Sequence, residues 1–227
     1  MIKILSDSST LYSIKEEQAN NIDIAPLQVT INNKTYTEFE DIDSKQVIDL
    51  INEGHVPKSS QPSIGKVLEL YQRYPEEKGY TKERIIKDIK ELIESSKSFL
   101  IPNDFDFLVR GGRLSPIVGK IGSAIKLVPV LSLSKDGTTL EKFATTRSFK
   151  KAMAKICDYL HELKVDDSYK IYITHGFSEN LAKEAKEILL NKIKNADIVT
   201  RILSPAFITQ GGPGCVAIQV IKRHVID

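Results

Sequence analysis

Five short stretches of this 227-residue chain carry side chains suited to ligand or bond chemistry. Asp7-Ser8-Ser9 follows an apolar run and sets two hydroxyls beside a carboxylate, which fits a nucleophile, an oxyanion contact or a capped helix start. Ser59-Ser60-Gln61 places three hydrogen-bonding side chains ahead of a helical run, chemistry matched to an anionic head group or to a surface turn. Arg110-Gly111-Gly112-Arg113 holds two guanidinium groups around a glycine turn, and each can fork onto a carboxylate or phosphate. Its spacing is not that of a P-loop. Thr174-His175-Gly176 ends an apolar run with an imidazole, a group that titrates usefully or is simply held by a loop. Gln210-Gly211-Gly212-Pro213-Gly214 is the densest glycine cluster, where backbone amides can approach a ligand closely. No Ser-His-Asp triad follows from these spacings, because a triad is a matter of geometry.

The elements that must position these residues alternate in type. Residues 1–5 read as a strand feeding a βα turn in which Ser8 or Ser9 caps. Residues 22–31 read as a second strand interrupted at Pro26, and Asn32-Asn33-Lys34 turns it into a hairpin. A helix is predicted over 44–53, stopped by Gly54, and another opens at Pro62 or Ser63 after the Ser59–Ser63 loop. The stripe of Ile85, Ile86, Ile89, Leu92 and Ile93 predicts a helix over 81–95. Beyond it come a strand from Phe99, a glycine turn within 108–115, a small-residue helix over 117–125, and strands over 127–133 and 140–144 joined by a turn at Gly137. A helix over 148–163, a strand over 169–174, a helix over 180–194, a strand over 198–202 and an apolar run over 215–221 complete the chain. Strands alternating with helices define an α/β protein. The expected domains are residues 1–98 and 99–227, although the first has too few strands to bury two long amphipathic helices.

Composition excludes most special classes. Hydrophobic residues are 41% and charged residues 27%, ordinary for a globular chain. Lys and Arg number 32 against 30 Asp and Glu, a formal charge of +2, so no strong field points to nucleic acid or an anionic membrane. No apolar run is as long as a bilayer span. Cys157 and Cys215 form no Cys-x-x-Cys pattern, and the histidines at 55, 161, 175 and 224 have no zinc-ligand spacing. The expectation is a cytoplasmic, soluble protein without metal, nucleotide cofactor or disulfide framework.

Taken in order, Asp7-Ser8-Ser9, Ser59-Ser60-Gln61-Pro62-Ser63, Phe107-Leu108-Val109-Arg110-Gly111-Gly112-Arg113-Leu114-Ser115, Thr174-His175-Gly176 and Gly212-Pro213-Gly214 resemble the motifs of the DegV family of bacterial lipid-binding proteins. The resemblance implies two α/β domains: an N-terminal, Rossmann-like domain with a parallel sheet, and a C-terminal domain with a mixed sheet flanked by helices. It implies a carrier rather than an enzyme. A long-chain fatty acid lies between the domains, its carboxylate among hydroxyls near the Ser-Gln-Pro loop, and is presented to a separate fatty acid kinase for phospholipid synthesis. The implied ligand-binding residues are Ser9, Ser59, Ser60, Gln61, Arg110, Arg113, His175, Gln210 and Gly212. Expected partners are the fatty acid and the kinase, with no nucleic acid, no stable membrane insertion and a monomeric state.

Two departures from that pattern stand out. Many members carry His where this chain has Gln210, which hydrogen-bonds but cannot be charged. Between the helix at Val67 and the one from Thr81, the family's strand, Ser-Gly-Thr turn and following strand and helices have no counterpart. Interior strands are not easily lost, since their removal leaves neighbours without hydrogen bonds, so a further stretch is expected between Tyr74 and Thr81. Two other readings compete. One is an enzyme related to dihydroxyacetone kinases, or a hydrolase using Ser9 and His175. The other is a truncated, non-binding member that acts as an interaction protein.

Overall fold

The computed structural model describes residues 4–12, 16, 22–72, 87, 90, 93–112, 127–134 and 139–223. Residues 74–81, Arg113, the helix expected over 117–125, the Gly137 turn, His224 and most of the helix expected over 81–95 lie outside them. The chain divides into two compact units, Met1–Thr81 with Leu203–Gln210, and Lys82–Ile202 with Gly211–Asp227.

In the first unit, β1 (Ile4–Asp7) runs parallel to β2 (Ile22–Ala25). Pro26 does more than interrupt a strand. It has no N–H to continue a ladder, and the chain beyond it enters a different sheet as β3 (Gln28–Ile31). β3 pairs antiparallel with β4 (Lys34–Thr37) through Asn32 and Asn33, whose φ values of 50° and 63° are those a two-residue hairpin turn requires. Helix α1 (Ser44–Asn52) opens on a capping box, with Asp43 accepting from the Gln46 amide and the Gln46 side chain accepting from the Asp43 amide. Gly54, at φ 95°, follows its end. The segment expected as a loop at Ser59-Ser60 is instead strand β5 (Lys58–Ser60), which pairs with the free edge of β3. Its backbone groups thereby find partners that the polar side chains gave no hint of. Helix α2 (Ile64–Gln72) follows, with Ser63 accepting from the Lys66 amide.

The second unit is built on a six-stranded mixed sheet of β6 (Lys97–Ile101), β7 (Val128–Leu133), β8 (Leu140–Thr146), β9 (Tyr169–His175), β10 (Asp197–Ile202) and β11 (Val216–Lys222), in the order β10-β9-β11-β6-β7-β8. The boundary expected at Ser98 falls within β6. The glycine turn expected over 108–115 begins as a helix, α3 (Phe105–Arg110), because Asp104 caps it by accepting from the Phe107 amide. Gly111 and Gly112 only end it. Helix α4 (Phe149–Glu162), capped by Ser148, packs on β6, β7 and β8, while α5 (Glu179–Lys192) packs on β9 and on α4. Their buried stripe, including Met153, Ile156, Leu160, Ala185 and Leu189, meets Phe99, Ile171, Ile173 and Ile218 of the sheet. Phe99, Phe143 and Tyr159 close that core edge-to-face, with ring centroids 5.0–5.9 Å apart.

The sequence reading missed helix α6 (Pro205–Gly211). Pro205 suits its first position, where an N–H has no helical partner, and the Ile208 amide donates to the Ser204 carbonyl. Residues 203–210 belong to the first unit, where the Ser44 hydroxyl donates to the Leu203 carbonyl at 2.7 Å.

Candidate functional site

In the first unit, the turn after β1 is capped by Asp7 rather than by Ser8 or Ser9. Its carboxylate accepts from the Ser9 amide at 2.9 Å, leaving the Ser9 side chain exposed. Ser8 is buried and faces inward. Its hydroxyl accepts from the Leu27 amide at 2.8 Å and donates to the Glu38 carboxylate. Glu38 is fully buried; its other carboxylate oxygen accepts from the Ala206 amide at 2.8 Å, and its own amide donates to the Leu27 carbonyl at 3.0 Å. Burial pushes the Glu38 carboxyl above its usual range, opposed by the Ser8 and Ala206 hydrogen bonds. The next residue, Phe39, has φ 66°, a conformation that bulky side chains rarely adopt. No spacing in the sequence marked Glu38, since its partners come from three distant segments.

Ser59 and Gln210 meet in the same unit, with the Gln210 amide donating to the Ser59 hydroxyl at 3.1 Å. Because Ser59 uses a lone pair for this bond, its own proton is free to be donated to another acceptor. Strand alternation turns Ser60 to the opposite face of β5 from Ser59, so the two hydroxyls do not act as a pair. Ser60 and Gln61 are exposed.

In the second unit, register brings His175 and the segment after the Gly212–Gly214 turn to one end of the sheet. Val216 lies opposite both Ile101 and His175, and His175 lies opposite Ile202, so β6, β9 and β10 end where β11 begins. That is the carboxyl end of the parallel pair β9–β10, the end at which open α/β sheets take ligands. His175 is buried, and its Nδ1 accepts from the Ser178 amide at 3.2 Å, which puts the proton of the neutral ring on Nε2. Burial holds its pKa below the usual imidazole value, partly offset by the Glu179 charge. The Cys215 carbonyl accepts from both the Gly176 amide (2.9 Å) and the Ser178 hydroxyl (3.1 Å).

The glycines here serve close approach. A Cβ on Gly176 would lie 2.8 Å from the Gly212 carbonyl oxygen, and one on Gly212, at φ 79°, would lie 2.8 Å from the Phe107 ring. Arg110 is exposed and approaches Asp104 at 3.7 Å, an ion pair too solvated to fix its guanidinium. Burial pushes the Cys157 and Cys215 thiols up to about 11 and about 12, so neither is a nucleophile near neutrality. Among the described residues there is no group of three or more His, Cys, Asp and Glu side chains able to hold a metal ion, and no helix long and apolar enough to cross a membrane.

The fold and the placement of the polar residues define a class: a two-unit α/β protein whose described residues form a parallel pair and a three-stranded antiparallel sheet in the first unit and a six-stranded mixed sheet in the second, with candidate ligand groups at strand ends. The model of the DegV family, described as uncharacterised proteins, matches residues 1–82 and 76–223, and the chain belongs to that family. The two matches meet at 76–82, where the sequence pattern breaks off from the family's. A DegV domain-containing protein of Clostridium acetobutylicum is 23% identical over 288 positions, covering 98% of this chain and 100% of the relative, an alignment longer than the 227 residues present here. A DegV domain-containing protein of Streptococcus pyogenes serotype M1 is 28% identical over 145 residues, 64% of this chain, and that match spans about half of the relative's length (51%). Among solved structures, a fatty acid binding DegV family protein from Streptococcus agalactiae matches with a TM-score of 0.80 at 21% identity, covering 99% of both chains. The Streptococcus pneumoniae fatty acid kinase B3 protein loaded with linoleic acid matches at 0.78 and 17% identity, over 97% of this chain and 99% of that one. At these identities the structural likeness is one of fold.

Proposed function

We propose that this protein is a carrier that binds a long-chain fatty acid and presents its carboxylate to a separate fatty acid kinase. The observation that carries the reading is the Gln210–Ser59 hydrogen bond, which leaves the Ser59 proton free for an anionic oxygen. Family membership supports it, as do similar proteins described as fatty acid binding or loaded with linoleic acid. In this reading Ser59 donates to the carboxylate, and Gln210 fixes the direction of that donation where many family members use His. A carboxylate taken out of water needs such donors, since a buried charge without them is strongly destabilised. Within the first unit, Ser9, Ser60 and Gln61 are assigned to the approaches of the head group rather than to this bond, and His175 and Gly212 are kept as candidate ligand contacts of the second unit. Arg110, exposed and weakly paired, is assigned to the kinase, because an acyl phosphate concentrates negative charge where the kinase must dock. Arg113 is assigned with it on its place in the motif.

Organic extraction of the purified protein followed by mass spectrometry tests the reading directly. A bound long-chain fatty acid, lost in the Ser59→Ala/Gln210→Ala double variant, is the expected result. A second reading has its own support: the break at residues 76–82 favours a truncated member that has lost binding. An extract without fatty acid, from protein that also takes up no added oleate, selects that reading.

A further inference from the structure

We propose that Glu38 is the positioning residue of the carboxylate site, holding helix α6 so that Gln210 reaches Ser59; the binding arm of its test rests on the carrier reading above. The geometry is a chain of direct bonds. The Glu38 carboxylate is fixed on one side by the Ser8 hydroxyl, itself held by the Leu27 amide, and on the other it accepts from Ala206 at the start of α6. Ala206 and Gln210 are four residues apart, hence on one face and one turn apart. Fixing the first turn therefore fixes where Gln210 emerges. Within that turn the Thr209 hydroxyl donates to the Ala206 carbonyl at 2.7 Å, which stiffens the link. A seven-residue helix has little stability of its own and needs such an anchor.

Glu38 also occupies a place that a merely structural role does not explain. A fully buried carboxylate is seldom worth more to stability than an apolar side chain of its size. The strained Phe39 beside it adds a local cost that the fold keeps. Direction is what the carboxylate supplies and an apolar group cannot.

The test compares Glu38→Met, which keeps the volume but has no acceptor oxygen, with Glu38→Gln. In the latter, Oε1 can still accept from Ala206 while the amide donates to Ser8. The first readout is the Gln210 side-chain amide in the ¹⁵N–¹H spectrum, assigned by its absence in Gln210→Ala. The second is oleate affinity. Glu38→Met is expected to move the Gln210 amide to a free-glutamine position and to weaken oleate binding about three- to tenfold. It should cause no further loss in the Gln210→Ala background. Glu38→Gln should restore both readouts.

An unshifted Gln210 amide in folded Glu38→Met, additive losses with Gln210→Ala, or equal damage from Glu38→Gln overturns the proposal. So does failure of Glu38→Met to fold, which makes Glu38 a residue of the fold alone. Wild-type protein that binds no oleate removes the carrier reading instead, and the amide resonance then decides on Glu38.

Discussion

The two units hold their candidate residues by different means. In the first, side chains do it: Ser8, Glu38, Ser59 and Gln210 are tied by hydrogen bonds that reach across 19 to 168 residues of sequence. In the second, backbone does it: Gly176, Gly212 and Gly214 let three segments touch, and the Gly214 amide donates to the Gly176 carbonyl at 2.7 Å. Side-chain networks lose direction when one member is removed, while the shape around them can survive. Backbone contacts of this kind have no slack, and an added methyl group must displace something. Damage to function with little loss of stability is therefore the signature of the first unit, and loss of stability is the signature of the second.

The largest expected effect is on stability. Gly176→Ala places its Cβ 2.8 Å from a carbonyl oxygen and 3.3 Å from the Gly214 amide nitrogen, both backbone atoms that cannot swing aside. It should lower stability by about 1–3 kcal/mol, read as an earlier urea midpoint at unchanged slope. A midpoint equal to wild type would mean that the second unit has slack after all. Ser59→Ala is the opposite case. Loss of the donor should weaken fatty-acid binding by about 1–3 kcal/mol while the urea midpoint barely moves. Ser60→Ala, on the other face of β5, should leave affinity within about 0.5 kcal/mol of wild type. Equal losses from Ser59→Ala and Ser60→Ala would contradict the alternation that separates them.

How much of this was legible in the sequence follows the same division. Long periodic elements and the local turn chemistry could be read directly: Ser148 opens α4, Asn32-Asn33 turns β3 into β4, and β9 delivers His175 at its end. The glycine motifs of the second unit were legible because close backbone approach leaves its mark as glycine in the sequence itself. The first unit's network left no such mark. β5 is three polar residues long and is a strand only because β3 offers a free edge. α6 is too short to show helical periodicity, and Glu38 is an ordinary acid until Ser8, Leu27 and Ala206 converge on it.

A smaller effect tests helix capping outside either site. Asp43 and Gln46 reciprocally satisfy two backbone amides at the start of α1, whereas the residue before α5, Ser178, makes no side-chain cap and points its hydroxyl at the Cys215 carbonyl. Asp43→Ala should cost about 0.5–2 kcal/mol through lost capping, with fatty-acid affinity unchanged. If affinity falls in step with stability, the first unit's network extends further than its hydrogen bonds indicate.

The finest contrast between the units is in pH, because burial shifts their titratable groups in opposite directions. Glu38 is raised, chiefly by desolvation, with Asp7 nearby adding to the rise and the Ser8 and Ala206 hydrogen bonds opposing it. Between its unfolded and folded values the native state holds more protons, so its contribution to stability falls as pH rises from about 4.5 through the folded value. His175 is lowered, chiefly by desolvation, with Glu179 the charge that opposes the shift. The unfolded state takes up the proton first, so the His175 contribution is present above about pH 6.5 and is lost as pH falls below it. Thermal midpoints of wild type, Glu38→Gln and His175→Gln, measured from about pH 4.5 to 7.5, separate the two. Relative to wild type, Glu38→Gln should gain as pH rises, and His175→Gln should gain as pH falls. The difference curves must slope in opposite senses. Two flat curves would mean that neither group is as sequestered as its surroundings imply, and two parallel slopes would leave the units alike in the one property where burial sets them apart.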